Sequence, residues 1–292
     1  MKSNILFWLI ITSFAICSCQ KEIDFSLAPK LTSGNDSIYL QKLVQLDTVK
    51  ASGSDTLFTR EFYYDNLKRI LRTFEKNSTS PLNTIYIETK YYYAGTDTLP
   101  YKTTEIDNEG AIIYNDTVLY TFSNGKVSRD SFIVYRQNTG ELLGTSTQTY
   151  VQVASNNIFV RSRSVSYNTG LPQVYKDSGN AIISLAGSNI ISQTAPYEVA
   201  NNEVYDLTYD NKINPLYRID IHYLIYGGYN SSLDCQKNNP LTEKVSTASG
   251  GSLYHFTSSY AYRSDGYPLI KRTTDLLDPS YNRKNLYYYT SL

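Results

Sequence analysis

Few residues in this chain have the type and spacing for acid–base or metal chemistry. There are two histidines, His222 and His255. Asp220 and His222 stand two apart, which on an extended strand places both on one face, where the carboxylate would orient the imidazole as a general base. No nucleophile elbow accompanies them, and the same spacing also describes a solvated sheet face. Zinc needs three or four clustered ligands, which two histidines and Cys235, far apart in sequence, do not supply. Asp107-Asn108-Glu109-Gly110 and Asp65-Asn66 carry oxygen ligands but lack the spacing of a calcium loop and read as turns. No phosphate-cradling glycine pattern occurs. Cys235 lies in the polar stretch SLDCQKNNP, either as a reactive thiol or as a covered one. Carboxylate pairs for glycoside hydrolysis cannot be assigned, because a β fold can bring any two together. No catalytic, metal or cofactor residue is therefore expected, and a non-catalytic role is favoured over an enzyme.

Composition narrows the class. Lys and Arg number 27 against 27 for Asp and Glu, so no basic footprint points to nucleic acid. There are 29 tyrosines, a residue that favours strands and tolerates one wet end and one dry face. Only one tryptophan, Trp8, and one methionine, Met1, are present.

The elements that must position any site are strands. One phrase recurs: an aromatic-x-aromatic strand end, a polar turn, then a new strand often followed by Lys or Arg. It runs through FYYDNLKRILRTF (62–74), YYYAGTDTLPYKTTEI (91–106), YTFSNGKVSRDSF (120–132), VSYNTGLPQVYKDS (165–178), LTYDNKINPLYRIDI (207–221) and YAYRSDGYPLIKRTT (260–274). Asp, Asn and Gly suit the turn, and Pro100, Pro172, Pro215 and Pro268 suit a strand's opening. In TIYIETKYYY, Ile85, Ile87, Thr89, Tyr91 and Tyr93 share one face, against Glu88 and Lys90 on the other. In YRIDIHYLIY, Ile219, Ile221, Tyr223 and Ile225 oppose Arg218, Asp220 and His222. The expectation is an all-β antiparallel meander of about a dozen strands with one apolar face, curled or barrel-like because so many strands rarely stay flat. A binding site is expected on the tyrosine-bearing side, with 187–203 and 230–252 as long connections at its rim. In VRSRSVSYN, Arg161 and Arg163 share a face with Phe159 and Val165, which disfavours a lipid-facing wall.

The N-terminus sets the address. Lys2 precedes a dozen mostly apolar residues, Ile5 to Ile16, too short to span a bilayer and fitting a signal peptide. Ile16-Cys17-Ser18-Cys19 resembles a bacterial lipobox. The resemblance implies cleavage after residue 18, acylation of Cys19 and a membrane partner through the lipid anchor. Gln20-Lys21-Glu22 resembles the export tag of Bacteroidota surface lipoproteins, which implies an outer-membrane protein facing the cell exterior. Residues 19–37 read as a flexible tether and 38–292 as the β domain.

Within that domain, Tyr64-Asp65, Tyr209-Asp210 with Asn214-Pro215, and Tyr260-x-Tyr262 with Asp265-Gly266-Tyr267-Pro268 resemble the YD repeats of Rhs-type proteins. They are similar also to the YD-like β domains of Bacteroidota surface lipoproteins of unknown function. Asp-Ser/Thr-aliphatic at Ser37, Thr48, Thr56, Thr98 and Thr117 resembles a Bacteroidota O-glycosylation sequon. It equally fits an Asp ending a turn before a β-branched strand residue. The functional expectation is a non-catalytic surface protein that binds or scaffolds, with a glycan or an outer-membrane protein as candidate partner. The alternative is a surface glycan-binding protein or glycan hydrolase.

Overall fold

The computed structural model describes residues 38–48, 55–77, 85–110, 112–123, 126–154, 156–167, 174–186, 189–194, 203–217, 236–247 and 249–291. Their strands are β1 (Ile38–Asp47), β2 (Asp55–Tyr64), β3 (Ile70–Asn77), β4 (Tyr86–Tyr92), β5 (Lys102–Asn108), β6 (Ile113–Ser123), β7 (Lys126–Arg136) and β8 (Glu141–Ala154). They continue as β9 (Asn157–Tyr167), β10 (Val174–Ala186), β11 (Asn189–Thr194), β12 (Glu203–Ile213), β13 (Asn238–Thr247), β14 (Ser252–Tyr262), β15 (Pro268–Asp275) and β16 (Asn282–Ser291). Each pairs antiparallel with its neighbours in sequence, and β1 pairs with β16 from Ile38↔Ser291 to Asp47↔Arg283. The meander is thus a closed barrel, without a free edge to recruit another chain.

Sixteen strands stand against an expected dozen or so, and two of the additional ones have a specific origin. NIISQT and NNPLTEKVST, inside the two stretches read as connections, are β11 and β13. Both are polar, but each has a strand on either side to pair with. Curvature comes from bulges, among them those at Leu40/Lys42, Tyr63/Tyr64 and Val134/Tyr135.

The recurring phrase now has a mechanical meaning. In two of its copies the second aromatic donates a phenolic hydrogen bond that ties off a strand end, Tyr64 to the Leu40 carbonyl at 2.8 Å and Tyr93 to that of Ile70 at 2.8 Å, and Tyr289 at the end of β16 does the same to that of Pro268 at 2.6 Å. Burial holds all three phenols above their ordinary pKa, so they stay donors. The Asp that follows builds the turn: Asp65 accepts from the Leu67 and Arg69 amides, both at 2.9 Å. Pro268 opens β15 as expected, whereas Pro215 lies in the turn after β12, where Asn214 Oδ1 accepts from the Leu216 amide at 3.0 Å.

Directly paired residues share a face. One cross-strand row reads Leu43, Arg60, Glu75, Ile87, Asp107, Tyr114, and the next reads Phe62, Thr73, Thr89, Glu105, Asp116, Val134. This parity contains buried residues from most of the strands, including Tyr91, Thr103, Val118, Asp130, Gln148, Val160, Leu207 and Val245, and is the inside of the barrel. The opposite parity carries the exposed Lys90, Arg129, Arg161, Arg163 and Lys244 and is the outside. One outward row, Ala261, Ile270 and Leu286, is buried.

The inside is not the single apolar face expected. Leu40, Leu43, Phe62, Ile70, Tyr91 and Tyr287 pack together over β16 and β1–β4, joined by Leu216 from the turn after β12. Over β5–β8 the inward positions instead include Glu105, Asp107, Asp116, Asp130 and Gln148. A barrel of sixteen strands is wide enough to hold more than a dry core, and polar inward residues accord with that width.

Candidate functional site

Inward residues of β13–β16, with Gln45 of β1, surround a cleft of about 280 Å³. Alternation on β14 places Tyr254, Phe256 and Ser258 on its wall. Tyr254 and Phe256 stack with centroids 5.7 Å apart and planes 8° apart. Tyr281, from the turn before β16, meets Phe256 at 4.9 Å with an interplanar angle of 46°. These rings form an angled aromatic corner, and Tyr254 is 42% exposed.

Polar groups face that corner. Arg283 lies over the Tyr281 ring at 4.5 Å and pairs with Asp47 at 3.1 Å, so its guanidinium is fixed by stacking and by charge. Lys271 is buried on the same wall. Gln45 donates to Asn285 at 3.1 Å across the seam between β1 and β16. Glu243, Asp275 and Asp278 complete the charged lining. Asp275 accepts from the His255 amide at 3.1 Å and the Leu277 amide at 2.9 Å. Asp278 is bonded by the Ser280 hydroxyl and amide, which hold its carboxyl below the usual range. Two of the three carboxylates are therefore occupied in holding backbone.

The acidic inward wall is different in kind. Burial raises the Asp116 carboxyl to about 7, and the neighbouring Glu105 and Asp107 charges push the same way. Burial raises Asp130 to about 6 against the hydrogen bond from Tyr150, whose hydroxyl donates at 2.6 Å. Burial also raises Glu105, although Thr89 donates to it at 2.8 Å, and it raises Asp107. Oδ1 of both Asp116 and Asp130 is buried without a hydrogen-bond partner. Among the described residues no group of three His, Cys, Asp or Glu is placed to hold a metal ion.

Of the residues singled out from sequence, Cys19, Gln20, Lys21, Glu22, Ser37, Asp220, His222 and Cys235 lie outside the described residues, as does YRIDIHYLIY beyond Tyr217. Thr98 is exposed in the turn after β4, and Thr117 takes an outward position on β6. Thr48 donates to the Asn282 carbonyl at 3.3 Å, and Thr56 pairs with Leu46 at the start of β2. His255 faces outward, paired with Lys244. Sequence reasoning did not assemble the cleft. Its one sequence signal is the alternation in LYHFTSSYAY, while the rest is brought together by barrel closure.

These features define a closed, sixteen-stranded antiparallel β-barrel with a partly polar interior and an inward aromatic cleft. Two crystal structures are similar to it. One is a porin-like protein from Bacteroides vulgatus ATCC 8482, with 14% identity over 88% of this chain and 100% of that one, at a TM-score of 0.51. The other is a porin-like protein from Bacteroides uniformis ATCC 8492, with 13% identity over 86% of this chain and 96% of that one, at a TM-score of 0.47. At this identity the first likeness bears on the fold alone. No family model matches the chain, and no curated protein does.

Proposed function

We propose that this protein is a lipid-anchored β-barrel of the outer membrane, facing the cell exterior, whose inward cleft binds a neutral sugar without chemical turnover. The observation that carries the binding reading is the corner of Tyr254, Phe256 and Tyr281 beside fixed polar groups. Ring faces of this kind take the apolar face of a sugar, while charged and amide side chains take its hydroxyls. The engagement of Asp275 and Asp278 with backbone amides supports binding over hydrolysis. Anchoring through Cys19 rests on the lipobox resemblance, and exterior placement on Gln20-Lys21-Glu22. The outward charges Arg72, Lys90, Arg161 and Arg163 support a barrel held beside the bilayer by its lipid rather than inserted through it.

Affinity electrophoresis and calorimetry with neutral oligosaccharides test the cleft. Phe256→Ala should weaken binding about tenfold, the worth of one aromatic contact, and Phe256→Tyr should preserve it. If no neutral oligosaccharide binds the wild type, the sugar reading is wrong. Clickable fatty-acid labelling should be lost in Cys19→Ala and kept in Cys17→Ala. Protease should shave the protein from intact cells, and alanines at 20–22 should protect it.

A further inference from the structure

The outside of the barrel is uneven in charge. On β3 and β4 the outward Arg72 and Lys90 both pair with Glu88, at 3.2 and 3.5 Å. From β6 through β10, no Asp or Glu occupies an outward position among the described residues. Asp116 and Asp130 sit on inward rows, and Glu141 pairs with the inward Arg136.

That acid-free wall carries three exposed arginines. Arg129, Thr149 and Arg161 form one cross-strand row, and Leu119, Ser131, Thr147 and Arg163 form the next. The three arginines make no ion pair among the described residues. The flanking row is apolar: Val151, Phe159 and Ile182, with Val151 and Ile182 each 49% exposed. Leu119, within the arginine rows, is 44% exposed. Guanidinium groups that make no ion pair among the described residues, interleaved with exposed aliphatic side chains, match an interface that is anionic at its surface and apolar just beneath.

We infer that the outward wall of β6–β10 docks against an anionic lipid surface, with Arg129, Arg161 and Arg163 on lipid phosphates and Val151, Ile182 and Leu119 in the acyl boundary. Guanidinium groups bind phosphate oxygens with paired N–H donors. Basic residues held at a lipid surface and apolar residues sunk at its boundary reinforce each other. A second copy of the chain is a poor occupant, since self-pairing of this wall would set arginine against arginine with no acid to answer it. A purely acidic polymer would satisfy the arginines and leave the aliphatic row in water.

The only tryptophan of the sequence is Trp8, so replacing it leaves an introduced indole as the sole reporter. In a Trp8→Phe background, Thr149→Trp places one indole on this wall, and Ser259→Trp places it on the outward face of β14. Each is mixed with vesicles of equal parts brominated phosphatidylcholine and phosphatidylglycerol, and with vesicles of brominated phosphatidylcholine alone. The expected result is quenching and a blue shift at position 149 in the anionic vesicles and little change at 259. Both signals should disappear at high salt and in Arg129→Gln/Arg161→Gln/Arg163→Gln, a variant whose exposed changes should leave circular dichroism unaltered.

An unquenched 149 reporter, or a signal that survives the triple variant, overturns the inference. Equal quenching at 149 and 259 without anionic lipid would mean that the wall is inserted rather than docked, which also overturns it. So would a blue shift that grows with protein concentration without vesicles, the signature of a second copy. Because the readout compares two positions on one chain, it stands whether or not Cys19 is acylated or the cleft binds sugar.

Discussion

Two regions of the barrel interior, β16 with β1–β4 and then β5–β8, are made by the same meander and filled differently. Over β16 and β1–β4, inward Leu40, Leu43, Phe62, Ile70, Tyr91 and Tyr287 pack as a dry cluster. Over β5–β8, the same parity delivers Glu105, Asp107, Asp116 and Asp130 beside a smaller apolar cluster around Val118 and Tyr120. The first region stabilises the barrel by removing apolar area from water, at about 25 cal/mol per Å². The second spends part of that stability on buried acids, and the inward arginines near them, Arg60 and Arg136, are already tied to Glu75 and Glu141. The lesson is that strand alternation fixes which residues share a face, not what that face must be made of. A wide barrel can carry an acidic wall, and burial there raises the pKa of its carboxyls.

Breaking the apolar region should have the largest effect. Phe62→Ala removes a ring that is 4% exposed and should lower unfolding free energy by about 3–5 kcal/mol, read by chemical denaturation. The acidic region should respond less to losing a single bond. Tyr150→Phe removes the hydroxyl that donates to Asp130 at 2.6 Å and lies 2.8 Å from the Gln148 amide oxygen, leaving a buried acceptor without that donor. It should cost about 1–3 kcal/mol and raise the Asp130 carboxyl further, seen as a shifted carboxyl resonance in a pH titration. Outside both regions, Asp65→Ala removes an acceptor for two turn amides and should cost about 1 kcal/mol by thermal unfolding.

Much of this was legible in the sequence, and the rest fails for physical reasons. The parity of Ile87, Thr89 and Tyr91 against Glu88 and Lys90 follows from a period of two and holds in the structure. The shared face of Phe159, Arg161 and Arg163 was equally readable. Turn chemistry at Asp65 and at Gly266, whose φ of 89° favours glycine, was visible as well. β11 and β13 were hidden because their residues are polar, and partners rather than propensity make them strands. Closure was hidden because the β1–β16 pairing joins residues at opposite ends of the chain, which no local pattern encodes. The cleft was hidden with it, since Gln45 reaches Asn285 only across that seam. The acidic wall was hidden because alternation alone does not say which face turns inward.

The account that burial raises the pKa of the carboxyls on the β5–β8 wall is tested most directly by unfolding free energy as a function of pH. Asp116 and Asp130 have folded values of about 7 and about 6, both above the unfolded value of about 3.9. Between those limits the folded chain holds protons that the unfolded chain releases, so their contribution is complete below about pH 4 and is lost as pH rises toward 7. The raised Glu105 and Asp107 act in the same direction. Stability should fall by a few kcal/mol over that range, and Asp116→Asn/Asp130→Asn should flatten most of the decline. A wild type whose stability instead rises steadily from pH 4 to neutrality, with the double variant following the same curve, would contradict the acidic wall.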